Sequence, residues 1–213
     1  MKLRTFSACL GLLLALTGCA PSAPTAAPKL LGVYASPAAD PWLRQAFTCT
    51  QGGEVVLRVV NGPQEADLQL RLGEPPGLDA PAFQIDTEEI LVAAQRDSPL
   101  RELTLEQARE LFAGGGDPAL QVWAYSSGDE LQRAFEALVM QGRVITSLAR
   151  MAVSPQNMAE ALDADPQAVG FLPRHWLTDS ARALYSAGTV PVLAITRSEP
   201  EGELSALIAC LQK

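Results

Sequence analysis

A chain of 213 residues that is 48% hydrophobic and 19% charged has enough apolar material for one compact α/β unit or two small lobes, and too much for a disordered protein. Lys and Arg total 16 against 24 Asp and Glu, a formal net charge of -8; no basic stripe follows any expected helix, so a nucleic-acid partner is excluded. One His and four scattered Cys, with no Cys-x-x-Cys and no His-x-x-x-His, leave too few close-spaced ligands for a zinc or iron–sulfur site. No metal and no cofactor are expected.

The chain opens with Lys2 and Arg4 ahead of an apolar run from Phe6 to Leu16. That run is well short of the roughly 20 residues a membrane span needs and reads as an export signal. It ends in Leu16-Thr17-Gly18-Cys19, which resembles the lipobox of bacterial lipoproteins; the resemblance implies cleavage before Cys19 and diacylation of its thiol. The alternative is an ordinary signal peptide that happens to contain a Cys. Residues 1–18 are thus expected to be signal, and 19–29 a lipidated Cys with a Pro-rich, semi-stiff tether. Losing residues 1–18 removes Lys2 and Arg4 and no acid, taking the net charge from -8 to -10. So acidic a body does not adhere to anionic lipid by itself, and the acyl chains do the anchoring. The expected location is the outer side of the cell membrane, facing the periplasm or the exterior.

Export also bears on the cysteines. Cys9 leaves with the signal and Cys19 takes lipid, so Cys49 and Cys210 remain in an oxidising compartment, where a disulfide between them is expected. Two buried free thiols at helix ends are the alternative.

Past the tether, Leu30 to Tyr34 is an apolar strand candidate followed by a turn at Ala35-Ser36-Pro37. Asp40 is expected to cap a helix with Pro41 at its first position, ending near Cys49 before Gly52-Gly53. Val55 to Val60 is a strand, and Asp67 to Leu72 alternates Leu68, Leu70 and Leu72 with polar residues. Ala82 to Asp86 and Ile90 to Ala94 are two further short strands. Thr104 with Gln107 forms a capping box for a helix that ends at Gly114-Gly115-Gly116. Leu120 to Tyr125 reads as a strand, and Ser127 with Glu130 as a second capping box. Met151 to Val153 is a short strand, Ser154-Pro155 opens a helix that stops before Pro166, Ala168 to Leu172 and Val190 to Thr196 are strands, and Leu204, Leu207, Ile208 and Leu211 face the last helix inward. Short strands alternating with helices make an α/β sheet protein, whose sites lie beyond the carboxyl ends of strands.

Several stretches then resemble the phosphate-type substrate-binding proteins of ABC transporters, within the type II periplasmic-binding superfamily. They are Glu65-Ala66-Asp67-Leu68, Glu88-Glu89-Ile90-Leu91-Val92-Ala93, Ser98-Pro99-Leu100 with Leu103-Thr104-Leu105-Glu106-Gln107, Leu111-Phe112-Ala113-Gly114, Tyr125-Ser126-Ser127-Gly128 with Phe135, and Ala168-Val169-Gly170-Phe171. They run in family order from about Leu30 to Leu172. The resemblance implies a two-lobed α/β fold with a ligand cleft between the lobes, lobe one from 30–94 and 168–213 and lobe two from 95–167. Ile90 to Ala94 would cross out and Ala168 to Leu172 would cross back. Both Cys49 and Cys210 would then lie in lobe one, an independent reason to expect their bridge.

The family role is capture of a small solute, phosphate or another oxyanion, for a membrane permease, without catalysis. Ser36, Ser126, Ser127, Gly128 and Asp129 are the candidate ligand residues, since a helix N-terminus with a Ser cap offers N–H and hydroxyl donors to an oxyanion. Ser154 is a weaker candidate of the same kind. Each Ser can also simply cap its own helix or turn. The sequence departs from the phosphate pattern at Trp123, where these binders usually carry Arg, and at Asp129, where they carry Thr, so the bidentate cation clamp is missing. Arg71, Arg58 and Arg96 are the arginines that could stand in for it. A non-transport envelope lipoprotein, using the fold as a sensor or protein-interaction module, is the alternative function. An exported hydrolase is not expected, because Ser127 has no evident His partner and His175 is the only His.

Overall fold

The computed structural model describes residues 28–213; the export segment, Cys19 and nearly all of the tether lie outside the described residues. The elements run β1 (Lys29–Ala35), α1 (Asp40–Cys49), β2 (Val55–Val59), β3 (Leu68–Leu72), β4 (Ala82–Gln95), α2 (Leu105–Phe112), β5 (Gln121–Ala124), α3 (Glu130–Phe135), β6 (Arg150–Met151), α4 (Pro155–Ala164), β7 (Ala168–Pro173), β8 (Ala181–Thr196) and α5 (Gly202–Leu211). They build one eight-stranded mixed sheet, ordered β2-β1-β3-β8-β4-β7-β5-β6, with helices flanking it. β1 runs parallel to β2 and β3, and β5 parallel to β6 and β7. β8 is antiparallel to both β3 and β4. None of the described helices is long and apolar enough to cross a membrane.

Two long strands join the halves of this sheet. β4 pairs with β8 from Ala82↔Ile195 to Gln95↔Ala181. The two short strands expected at Ala82–Asp86 and Ile90–Ala94 are therefore one, carried through Asp86, Glu88 and Glu89. Charged residues persist in mid-strand because each finds a partner. Trp42 Nε1 donates to Asp86 Oδ2 at 3.0 Å, the His175 backbone N–H donates to Glu88 Oε1 at 3.1 Å, and Arg174 Nε donates to Glu89 Oε2 at 2.5 Å. The return path also differs from expectation. Ala168–Leu172 stays beside β4 and β5 within the second half, and β8 makes the crossing. Its first part, from Ala181, has no alternation that marks a strand, and it includes Gly188 at a φ of 129°. Arg182 pins that part by donating to the Ser98 and Leu100 carbonyls at 2.8 and 2.6 Å.

Local chemistry explains the remaining elements. Thr104 and Gln107 form the expected reciprocal cap of α2, Gln107 N donating to Thr104 Oγ1 at 3.3 Å and Thr104 N to Gln107 Oε1 at 2.8 Å. The second capping box does not form. α3 starts at Glu130 with Asp129 as its cap, Leu131 N donating to Asp129 Oδ1 at 2.8 Å. Asp129, immediately before the first helical residue, out-competes Ser127 two positions earlier because its carboxylate is the stronger acceptor. Glu136–Met140 continues α3 as a π turn.

The core is one continuous cluster that spans both halves of the sheet. Phe135 stacks on Phe171 at 3.9 Å between ring centroids, with Phe112 and Tyr125 packed around them. Gly170 lets α4 sit close to β7, because a Cβ there would overlap Met158 Sδ. At the other end Trp42 and Ala46 of α1 pack with Leu31, Leu68, Leu70 and α5, and Cys49 and Cys210 form the expected disulfide between α1 and α5.

Candidate functional site

Along β3, Leu68, Leu70 and Leu72 are buried and Gln69 and Arg71 point to the opposite face. This alternation carries Arg71 toward α3. Ser36 opens the turn after β1, where its N–H donates to the Leu70 carbonyl at 3.0 Å and its own carbonyl accepts from Ala39 N at 2.9 Å. These bonds fix Ser36 against β3, and its side chain is buried. Across from both, the first residue of α3 sends its side chain inward. Glu130 Oε1 accepts from Ser36 Oγ, and Glu130 Oε2 accepts from Arg71 Nε at 2.9 Å. The Glu130 side chain is 5% exposed and that of Arg71 21%.

Beside this cluster is a cavity of about 120 Å³ lined by Tyr34, Ser36, Arg71, Gly128, Asp129 and Pro155, with Glu130 in its wall. A space of this size suits a small ion or a few waters and is below the roughly 300 Å³ at which ordinary organic ligands are held. Burial pushes the Glu130 carboxyl above its usual value, more strongly than the bonds from Ser36, Arg71 and the Leu72 backbone pull it down.

The structure brings Ser36, Gly128 and Asp129 to the cavity and leaves Ser126 and Ser127 on an exposed turn outside its lining. Ser154 caps α4, accepting from Asn157 N at 3.1 Å. Of the three arginines, Arg71 reaches the site, Arg58 is exposed on β2, and Arg96 donates to the Asp179 carbonyl at 2.5 Å. Asp67 accepts from Gly32 N at 2.7 Å and so fixes the loop before β3. Glu130 is the residue that sequence reasoning missed. It was legible as a first-turn acid, but nothing in its spacing marks it as the partner of Ser36 and Arg71.

The tryptophans have packing roles. Trp42 is buried, donates to Asp86, and meets the His175 ring in a tilted contact at 4.8 Å between centroids. Trp123 is half-buried, with the Arg150 guanidinium 5.8 Å from its ring centroid. His175 Nδ1 is taken up by the buried Glu88 carboxylate. Among the described residues no cluster of His, Cys, Asp and Glu could hold a metal ion.

No protein-family model matches this chain, and no curated protein matches it. Solved structures do. A putative phosphate ABC transporter substrate-binding protein with bound phosphate from Clostridium perfringens is similar at TM-score 0.74 and 14% identity, over 86% of this chain and 93% of that one. An ABC-type phosphate transport receptor from Vibrio cholerae is similar at TM-score 0.60 and 16% identity, over 87% and 94%. The regulatory domain of OxyR2 from Vibrio vulnificus is similar at TM-score 0.66 and 11% identity, over 88% and 99%. Binding proteins and regulatory domains thus share this architecture, and at these identities the likeness concerns the fold alone. The chain has the type II periplasmic-binding fold, two α/β lobes with a cleft between them.

Proposed function

We propose that this chain is a lipid-anchored extracytoplasmic binding protein that captures a small solute, oxyanions among the candidates, between its lobes and delivers it to an ABC-type permease. Cys19 carries the lipid in this reading, and the Pro-rich tether holds the domain off the membrane. One observation supports it above the others: Ser36 and Arg71 from the β1–β3 half converge with Gly128, Asp129 and Glu130 from the α3 half on one small cleft. A ligand touching both sides stabilises the closed arrangement, and β4 and β8 are the strands about which the halves would move.

The test is a thermal-unfolding screen of the purified full chain in detergent, at pH about 7.5 and about 5, against phosphate, sulfate, molybdate, amino acids and sugars. A ligand at 100 times its dissociation constant adds about 2.7 kcal/mol, a midpoint rise of about 5–10 °C. A saturable rise with one class names the solute; a flat screen removes the capture reading. Anchoring is checked by metabolic labelling with palmitate, which Cys19→Ser should abolish.

A second reading, a non-transport envelope lipoprotein acting as sensor or interaction module, is favoured by the Glu130 contacts. They join the two sides of the cleft through protein side chains. A flat screen together with capture of a defined envelope partner would select it.

A further inference from the structure

We propose that the Glu130 carboxylate is the resident occupant of an oxyanion site formed by the Ser36 hydroxyl and the Arg71 guanidinium, and that a small external carboxylate or oxyanion enters only in exchange for it. The inference rests on the ligand-cleft reading above but not on transport.

A carboxylate offers two oxygens to two donors, which is how acetate or one edge of phosphate or sulfate would sit. Here one oxygen takes Ser36 Oγ and the other takes Arg71 Nε, from segments 94 and 59 residues away in sequence. The Ser36 hydroxyl and the Arg71 Nε–H are thereby taken up by the protein itself. The charges point the same way. With Glu130 in place the cleft wall carries Asp129 and Glu130 against Arg71 alone, so a second anion meets net repulsion in a poorly solvated place. With Glu130 removed, the buried Ser36 hydroxyl and the half-buried Arg71 guanidinium lose their shared partner, and a partly desolvated guanidinium without its carboxylate favours an anion in that place. The residual cavity already opens beside these atoms. Specificity in this cleft is therefore set by Glu130, which excludes small oxyanions while it occupies Ser36 and Arg71.

Acid supplies the second route to exchange. Burial raises the Glu130 carboxyl, so it surrenders its charge at a higher pH than an exposed Glu. The groups that face it are Arg71 from β3, Tyr34 from β1 and Asp129 from its own turn, whose Oδ1 is engaged by Leu131 N.

The experiment compares wild type, Glu130→Ala and Glu130→Ala/Arg71→Ala as purified full chains, titrated with acetate, phosphate and sulfate against chloride at equal ionic strength. At pH about 7.5 the wild-type midpoint should not move beyond the chloride control. Glu130→Ala should start lower and rise saturably by about 5 °C with acetate, and the rise should disappear in the double variant. No response of Glu130→Ala to any of the three anions, an equal response in wild type, or a response that survives in the double variant would each overturn the proposal. Should Glu130→Ala not fold, Glu130→Ser, which leaves a hydroxyl near Arg71, takes its place. Should neither fold even with acetate present, calorimetric titration of wild type with sulfate decides. Binding at pH about 5 and not at about 7.5 supports the exchange; equal binding, or none at either pH, refutes it. The two readings fail separately. A solute that stabilises wild type while no anion rescues Glu130→Ala ends this proposal and leaves solute capture standing. Rescue by acetate with a flat solute screen does the reverse.

Discussion

Two ties hold distant parts of this chain together, and they differ in kind. On the face built from α1 and α5, the Cys49–Cys210 disulfide closes a loop of 161 residues. In the cleft, Glu130 ties α3 to the turn after β1 and to β3 through one hydroxyl and one guanidinium. The disulfide is covalent, indifferent to pH and salt, and internal to the half that contains α1, α5 and β1–β3. It fixes α1 to α5 within that half and makes no contact across the cleft, although its loop encloses the sequence of the other half. The Glu130 cluster crosses between halves and is held by noncovalent bonds for which water and ions compete. Permanence is thus built where nothing needs to move, and a breakable contact where a ligand would act.

Removing the covalent tie should have the largest effect. Cys49→Ser with Cys210→Ser restores the loop's freedom to the unfolded chain, an expected loss of about 4–5 kcal/mol in denaturant unfolding. Anion responses at the cleft should be unchanged in this variant, because its residues touch neither Arg71 nor Glu130. Arg71→Ala comes next. It strands a buried carboxylate with Ser36 as its remaining side-chain partner, a loss of about 3 kcal/mol, and the partial exposure of Arg71 keeps this at the low end for such pairs. Replacing the pair by Glu130→Met with Arg71→Met should recover most of that loss, showing that the cost belongs to the orphaned charge. Ser36→Ala should cost about 1.5–2 kcal/mol, the low end for a hydrogen bond to a charged group.

The ionic tie also has a pH signature that the disulfide lacks. The folded-state value of Glu130 lies above the ordinary 4.5 because burial outweighs its bonds. The folded protein therefore holds this proton more tightly than the unfolded chain does. The resulting stabilisation is complete below the ordinary glutamate value and is lost as pH rises through the raised one. Glu130→Gln cannot titrate, so the wild-type-minus-variant difference in unfolding free energy should fall across that window and then level off. A difference that stays flat would place the carboxylate in ordinary solvation.

The two ties were not equally legible in the sequence. In the export reading Cys9 goes with the signal and Cys19 takes lipid, which leaves a single pairing, so the chemistry of one residue type names both partners of the disulfide. The Thr104–Gln107 cap and the alternation of Leu68, Leu70 and Leu72 were equally readable, because each is a local pattern with one structural solution. Glu130 and Arg71 are one pair among 24 acids and 16 bases, and only the folded sheet selects them. The segment Ser126-Ser127-Gly128-Asp129 holds three side chains able to cap α3, and sequence spacing favoured the wrong one. The continuity of β4 was hidden for a related reason: Asp86, Glu88 and Glu89 look like a strand end until Trp42, His175 and Arg174 arrive from elsewhere in the chain to satisfy them.

The smallest expected effect lies at the last of these, and it tests whether burial is what separates the cleft from other ion pairs. Glu89 on β4 accepts from Arg174 Nε after β7 and from Ser186 Oγ on β8, so it too joins distant strands. Its partner Arg174 is 57% exposed, however, and Glu89 itself 26%. With water nearby, the Arg174 bond outweighs burial and holds the Glu89 carboxyl below 4.5, the opposite direction from Glu130. The linkage reverses with it: this stabilisation is present above the ordinary value and is lost as pH falls through the lowered one. Arg174→Ala should therefore cost only about 0.5 kcal/mol at neutral pH, less at high salt, and nothing once Glu89 is protonated. A loss as large as that of Arg71→Ala would mean that strand position, not desolvation, sets the strength of both pairs. A small loss that disappears in acid, beside one at Glu130 that grows as pH rises, would leave desolvation as the property that distinguishes the cleft.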